Sequence, residues 1–167
     1  MMLRTRHHDH DHACEHGHPP VDVLKVAEAR CAERKLKLTP IRREVLSHLA
    51  ASPAPMGAYD LIEKMHHSSG RRPAPISVYR VLDFLLEAGL AHRIESRNAY
   101  VACAHRHDGP DLVVFMICDA CGCVSEASGA PVEKDLAAIA GAAGFTAASR
   151  VVEMFGRCAH CGPTEKT

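Results

Sequence analysis

The chain has 167 residues, of which 47% are hydrophobic, and its formal net charge at neutral pH is zero. This length predicts one large domain or two small ones with ordinary hydrophobic cores. The sequence has no run of about 18 apolar residues that could span a bilayer, and its polar, His-rich start is unlike a secretory signal. We therefore expect a globular cytoplasmic protein that does not enter a membrane.

The neutral total conceals a difference between the two halves. Residues 21–97 carry 13 Lys and Arg against 9 Asp and Glu, whereas residues 98–167 carry 5 against 8. A basic first half favours contact with a polyanion, and an acidic second half favours contact with a metal cation.

Residues 1–20 form a His-rich tail with six of the 13 histidines, several acidic residues and almost nothing apolar. This composition predicts a disordered segment. Dense imidazoles bind divalent metals weakly, so the tail either buffers zinc or is a solvated extension with no such role.

Residues 21–103 are predicted to form a helical domain. Apolar residues recur at helical spacing from Val21, and the first helix would bury one face, which carries Val23, Leu24, Ala27, Cys31 and Leu36. A second helix would open at Thr39, whose hydroxyl can cap its free N–H groups, with Pro40 in the first helical position.

Two further helices and a hairpin complete this half. The third helix is predicted from about Ala58 to Met65, and the fourth from Ile76 to Ala88, where Gly89 ends it. Two short β-rich runs, 90–95 and 99–103, then predict a β-hairpin. Helices followed by such a hairpin are typical of a winged helix-turn-helix, so the fold class is α+β.

The second half changes character after a hinge loop at residues 104–111. Buried strands are predicted at 112–117 and 123–127, an Ala-rich helix from Pro131 to about Ala143, and a last strand at 146–155. Residues 112–167 would therefore form a small α/β domain, which we expect to bind metal.

Two Cys-x-x-Cys pairs bracket this domain, with Cys118 and Cys121 in the first and Cys158 and Cys161 in the second. In a reducing cytoplasm this spacing favours a tetrahedral zinc site over disulfides. Four thiolates leave no open position, so the predicted zinc is structural. Cys123 would point away from the site, and His160 is a weaker alternative ligand.

A second group of metal-binding residue types gathers around the hinge: His92, Cys103, His105, His107, Asp111 and Glu126. His92 and Cys103 lie on the two arms of the predicted hairpin, so the two can face each other. The opposing interpretation is that the loop histidines and acids simply face solvent. If the group does bind metal, the thiolate favours zinc over iron(II) or manganese(II).

The fourth predicted helix offers a surface for nucleic acid. Ser77, Tyr79 and Arg80 lie in its first turns, where a recognition helix meets base edges, and Arg80 can bind guanine in a bidentate manner. Other side chains could meet phosphates, namely Tyr59, Arg42, Arg43, Arg71 and Arg72.

Four stretches together resemble the ferric uptake regulator family, and within it the zinc uptake regulator branch. They are Leu38-Thr39-Pro40-x-Arg42-x-x-Val45-Leu46, Ala58-Tyr59-Asp60-Leu61, Val78-Tyr79-Arg80-x-Leu82-x-Phe84-Leu85-x-x-x-Gly89 and Cys118-Asp119-x-Cys121-Gly122. The resemblance covers about residues 22–162. It implies a dimeric repressor whose winged helix binds an AT-rich inverted repeat when the regulatory metal is bound.

The resemblance also implies residue roles. The family's structural zinc falls on the four paired cysteines, and the zinc branch's regulatory ligands fall on His92, Cys103 and Glu126. The DNA-contacting residues fall on Tyr59 and Arg80. Where relatives have a histidine, this chain has Asp111, so the fourth ligand is either Asp111 or one of His105 and His107.

The sequence therefore predicts a zinc-responsive repressor of zinc-uptake genes, with two Zn²⁺ sites per subunit, a DNA operator and a second copy of the chain as partners. It predicts no small-molecule substrate and no enzymatic activity, because no H-E-x-x-H or comparable motif occurs. An iron or manganese sensor of the same fold and a zinc-buffering or chaperone protein are the alternatives.

Overall fold

A computed structural model describes residues 22–103, 112–148 and 150–162. Its first half contains α1 (Val23–Glu33), α2 (Pro40–Ala50), α3 (Ala58–Ser69), α4 (Pro75–Glu87), β1 (Ala91–Ile94) and β2 (Ala99–Ala102). Its second half contains β3 (Val113–Cys118), β4 (Val124–Ser128), α5 (Ala130–Ala142) and β5 (Val152–Gly156). This is the expected α+β order of helices and a hairpin, then a β-rich unit.

The helices bury their predicted faces in one core. Its largest fully buried side chains include Leu46, Leu61, Ile62, Leu82 and Leu85. Tyr100 on β2 joins this core and exchanges backbone hydrogen bonds of 2.9 Å with Met56. The hairpin β1–β2, called the wing below, is thereby fixed to the helical domain.

Two expectations about α1 and α2 were wrong in detail. Helix α1 ends at Glu33, and Leu36, which was expected on its buried face, lies beyond it and is 38% exposed. Thr39 is the N-cap residue of α2, but its side chain makes no capping hydrogen bond. Pro40 alone therefore accounts for the start of α2, because its missing N–H needs no partner in the first turn.

Two boundaries differ from those expected. Helix α3 continues to Ser69, with the hydroxyls of Ser68 and Ser69 donating to the carbonyl of Met65, and it ends at Gly70, whose φ is 69°. The last strand starts at Val152, not near Thr146, since β5 pairs only with β3 and Val152 lies opposite Val114 near the start of that strand.

The C-terminal sheet has the order β4-β3-β5, with β3 antiparallel to β4 and parallel to β5. One face of it packs on the wing, where Ile94, Phe115 and Ile117 form a second buried cluster. The wing therefore belongs to both cores. Within the described residues, no helix is long and apolar enough to cross a membrane.

Candidate metal centres and nucleic-acid interface

The parallel pairing of β3 and β5 brings the two cysteine pairs together. Cys118 ends β3 and lies opposite Gly156, the last residue of β5, so the chain reaches Cys158 two residues later at the same edge. The sulfur atoms of Cys118, Cys121, Cys158 and Cys161 all lie within 4.8 Å of one another. Neither Cys123, which is buried elsewhere, nor His160 belongs to this four-thiol cluster.

Both cysteine pairs sit in turns of the same kind. Gly122 and Gly162 directly follow the second cysteine of each pair, with φ of 76° and 74°. Only glycine adopts this conformation without strain, and it turns the chain away from the cluster. The amide N–H of Cys158 donates to the sulfur of Cys118 at 3.4 Å.

The electrostatics of the four-thiol cluster favour a cation. Burial raises the pKa of the Cys118 thiol, but N–H groups of Cys158, Cys121 and Ala120 donate to it and lower the pKa to about 6. Hydrogen bonding with the thiols of Cys158 and Cys121 raises the pKa of Cys161 to about 12. The Cys118 thiolate thus forms readily, whereas the Cys161 thiolate would need a neutralising cation. Four sulfurs in this arrangement fit Zn²⁺.

A second group of donors lies between the wing and the sheet. His92 comes from β1, Cys103 follows β2, and Glu126 comes from β4; one donor atom from each lies within 4.8 Å of the others. His92 Nε2 is 3.9 Å from a carboxylate oxygen of Glu126, whose side chain is 7% exposed. A buried set of one nitrogen, one sulfur and one oxygen donor fits zinc. We call this group the wing site.

The three candidates for a fourth ligand of the wing site fall in the predicted hinge loop. Asp111, His105 and His107 lie outside the described residues, as does the His-rich tail at residues 1–20. In the sequence, the predicted hinge loop directly follows Cys103, a wing-site residue.

A row of three residues across the sheet faces the wing. Phe115 on β3 is in register with Glu126 on β4 and with Glu153 on β5. The Phe115 ring packs edge-on against the His92 ring, with centroids 5.3 Å apart. Glu153 accepts hydrogen bonds from the backbone N–H groups of Glu95 and Ser96, at 2.7 and 3.3 Å, at the tip of the wing.

The side chains predicted to meet DNA are mostly at the surface. Tyr59 is 66% exposed and Tyr79 39% exposed, and Arg71, Arg72 and Arg80 are exposed, whereas Ser77 is half-buried. Some of the arginines have intramolecular partners. Arg72 pairs with Glu63 and Arg43 with Glu28, and the Arg42 guanidinium lies 3.4 Å above the Phe84 ring.

The ferric uptake regulator family matches residues 33–155. The zinc uptake regulation protein of Escherichia coli (strain K12) is 40% identical over 145 residues, which are 86% of this chain and 84% of that protein. The chain belongs to the ferric uptake regulator family.

Solved structures agree in fold over nearly the same length. A zinc uptake regulator complexed with zinc and DNA matches with a TM-score of 0.77 and 39% identity, covering 86% of this chain and 95% of that chain. Holo XcZur matches with a TM-score of 0.74 and 40% identity, covering 83% of this chain and 95% of its own. The protein is thus a metal-responsive transcription regulator of this family and not an enzyme.

Sequence reasoning missed two residues, Arg30 and Glu153. Arg30 is a buried arginine on the inner face of α1, between Ala27 and Cys31, and its guanidinium reaches the sulfur of Cys103 at 4.0 Å. A charged residue on an apolar helix face was the signal available for Arg30. Glu153 gave none, since its partners are backbone groups 57 and 58 residues away.

Proposed function

We propose that the protein is a zinc-responsive repressor that binds an AT-rich inverted-repeat operator of zinc-uptake genes as a zinc-loaded homodimer. The observation that carries this proposal is the wing site, whose donors come from the wing of the helical domain and from the sheet. The similarity of the whole chain to a zinc uptake regulator complexed with zinc and DNA supports the same conclusion.

The donor set favours zinc as the regulatory metal. Iron(II) and manganese(II) are best served by nitrogen and oxygen donors, whereas the thiolate of Cys103 selects a softer ion. Asp111, His105 or His107 would complete four-coordination from the hinge loop. With one sulfur against four, the wing site would hold zinc less tightly than the four-thiol cluster and could exchange it with the cell.

Zinc at the wing site would act by selecting a conformation. His92 and Cys103 belong to the helical domain and its wing, and Glu126 belongs to the C-terminal sheet. All three can therefore bind one ion only in the conformer in which the wing packs against the sheet, called the docked conformer. Zinc then stabilises the docked conformer, and if DNA binds that conformer better, DNA must tighten zinc by the same factor. Couplings of this kind are typically about 5- to 150-fold.

The C-terminal unit supplies a surface for a second copy of the chain. Its exposed large apolar side chains include Ile139 on α5, Phe145 and, on β5, Met154 and Phe155, all more than half exposed. Apolar side chains concentrated on one unit favour a protein interface. A symmetric dimer would present two copies of α4 to two operator half-sites, which matches an inverted repeat.

Within each half-site, α4 would enter the major groove. Arg80 would bind a guanine edge, with Ser77 and Tyr79 beside it in the first turns of α4. Tyr59, Arg71 and Arg72 would contact the backbone. The Arg72 pair with Glu63 would open for a phosphate at little cost, because exposed ion pairs contribute about 0–1 kcal/mol.

A mobility-shift titration tests the proposal on DNA from upstream of a zinc-transport operon. The full chain is compared with zinc, iron(II), manganese(II) and a chelator at fixed salt. We expect zinc to lower the dissociation constant for this DNA more than the other ions do, and the chelator to reverse it. DNA binding that does not depend on zinc, or that is strongest with iron, contradicts the proposal. A protein that binds zinc but not this DNA favours the buffering alternative.

A further inference from the structure

Arg30 occupies a position between the wing site and the end of the DNA-reading helix. From α1, its Nη1 atom donates to the carbonyl oxygen of Gly89 at 2.5 Å and lies 4.0 Å from Cys103 Sγ. We propose that Arg30 is a positioning residue that joins the regulatory zinc ligand Cys103 to the C-terminal end of α4. This inference rests on the proposed function, because it takes Cys103 as a zinc ligand.

The C-terminal end of α4 has no cation on the helix itself. Helix α4 carries no basic residue in its last turn. It closes with hydrogen bonds from Gly89 N–H to Leu86 and from Leu90 N–H to Leu85, around the positive φ of Gly89. The carbonyls left over carry the negative end of the helix dipole. The Arg30 guanidinium donates a hydrogen bond to the Gly89 carbonyl, which lies just beyond the helix.

Cys103 is fixed to the same point by its backbone. Its N–H donates to the carbonyl of Leu90 at 2.9 Å, and its side chain is 2% exposed. A guanidinium is always charged, and its attraction to a metal-bound thiolate is strong where water is excluded. Arg30 therefore holds the sulfur of Cys103 and the end of α4 at a set distance from each other.

Two consequences follow for a zinc-bound wing site. Groups outside the ligand set that orient a metal ligand are typically responsible for about 10- to 100-fold in metal affinity. The same contact gives zinc a direct effect on α4, since fixing the sulfur also fixes the residue that binds the Gly89 carbonyl. Without Arg30 the protein should bind zinc more weakly and should respond to it less.

Arg34 provides a matched control. It lies four residues later, at the C-cap position just after α1, and its Nη1 atom donates to the carbonyl of Ala88, next to Gly89, at 3.2 Å. Within the part of the chain that the structure describes, this arginine bonds to Ala88 and not to the sulfur of Cys103. Replacing either arginine by Met keeps the apolar stem and removes one cation from the end of α4, but only Arg30→Met also removes the contact with sulfur.

The test uses the full chain with zinc kept in the four-thiol cluster. Wing-site zinc affinity is measured by competition with a chromophoric chelator, for the parent chain, Arg30→Met, Arg30→Lys and Arg34→Met. We expect a loss of about 10- to 100-fold in Arg30→Met, a smaller loss in Arg30→Lys, and almost none in Arg34→Met. Cobalt(II) in the wing site should also report the change, with the sulfur-to-cobalt absorption moving to longer wavelength in Arg30→Met only.

Equal zinc affinity and equal cobalt spectra in Arg30→Met and Arg34→Met would overturn the proposal and leave Arg30 as a helix-end cation. Thermal unfolding of both variants shows whether they are equally folded. The zinc and cobalt measurements need no DNA, so they stand even if the operator titration fails. Where DNA does bind, the enhancement by zinc should be smaller in Arg30→Met than in Arg34→Met.

Discussion

The four-thiol cluster and the wing site should respond differently to loss of one cysteine. Cys121→Ser removes a sulfur that lies 3.8 Å from Cys158 Sγ in the four-thiol cluster, whereas Cys103→Ser removes the sulfur of the wing site. We expect Cys121→Ser to unfold the C-terminal sheet and abolish dimerisation. We expect Cys103→Ser to leave a folded dimer that no longer responds to zinc.

The magnitude follows from how little else holds the C-terminal sheet. The buried residues of its apolar cluster are Ile94, Phe115 and Ile117, and burial of each contributes about 1.5–3 kcal/mol, or roughly 5–9 kcal/mol together. Structural zinc contributes about 10–16 kcal/mol in small zinc-dependent domains. Helix α5 adds no buried residue of its own. Zinc in the four-thiol cluster would therefore be the largest single contribution to the stability of this unit.

The helical domain should remain folded without that metal. Its core cluster contains Leu46, Leu61, Leu82 and other buried residues from four helices. Cys121→Ser should consequently keep most of its helical circular dichroism while losing the β-rich unit, and Cys103→Ser should keep both.

Hydrogen exchange resolved by segment, together with sedimentation, measures the difference. In Cys121→Ser the amides of β3 and β5 should lose protection while those of α2 and α4 keep it, and the protein should sediment as a monomer. Protected β3 and β5 amides in a dimeric Cys121→Ser protein would refute the reasoning, as would equal unfolding by Cys103→Ser.

Two further substitutions separate DNA recognition from docking of the wing. Arg80→Ala should raise the dissociation constant for the operator about 5- to 150-fold, because a bidentate base contact contributes about 1–3 kcal/mol of discrimination. Fluorescence anisotropy measures this change, and zinc affinity should stay the same. An equal loss of affinity for random DNA would instead indicate a phosphate contact. Glu153→Ala removes the two carboxylate oxygens that accept hydrogen bonds from the tip of the wing. These partly exposed hydrogen bonds contribute about 1–2 kcal/mol together, so amide exchange at residues 95–98 should become about 5- to 30-fold faster. The control for it is Glu133→Ala, which breaks an ion pair with Arg150 away from the wing and should leave those residues unchanged.

Local patterns in the sequence were sufficient for the element types. Helical spacing found the four helices of the first half, β-rich runs found the wing, and the four stretches quoted above led to the family, which the comparisons confirm. Boundaries were less accurate where side chains bond to the backbone. The last turn of α3 includes Ser68 and Ser69, whose hydroxyls donate to the Met65 carbonyl, although serine is usually read as a helix-ending residue.

Contacts between distant residues were beyond the sequence. The spacing of the cysteines predicted that four sulfurs meet, and the structure brings those four together. The spacing alone could not show that the parallel pairing of β3 with β5 achieves this. The guanidinium of Arg30 and the carboxylate of Glu153 meet partners that lie 57 to 73 residues away. Only the folded chain defines which face of α1 or β5 opposes them.

The register of β3 against β5 has a consequence for how the chain can vary in length. Phe115 and Glu153 stand opposite each other, a few residues before the two cysteine pairs that close the same edge of the sheet. Inserting one residue between Glu153 and Cys158 would either break the metal cluster or turn Glu153 away from the wing. Between α5 and β5, the described residues form no strand pairing that would fix the length of the connection. Insertions and deletions among relatives should therefore accumulate before Val152 and be absent between Glu153 and Cys158.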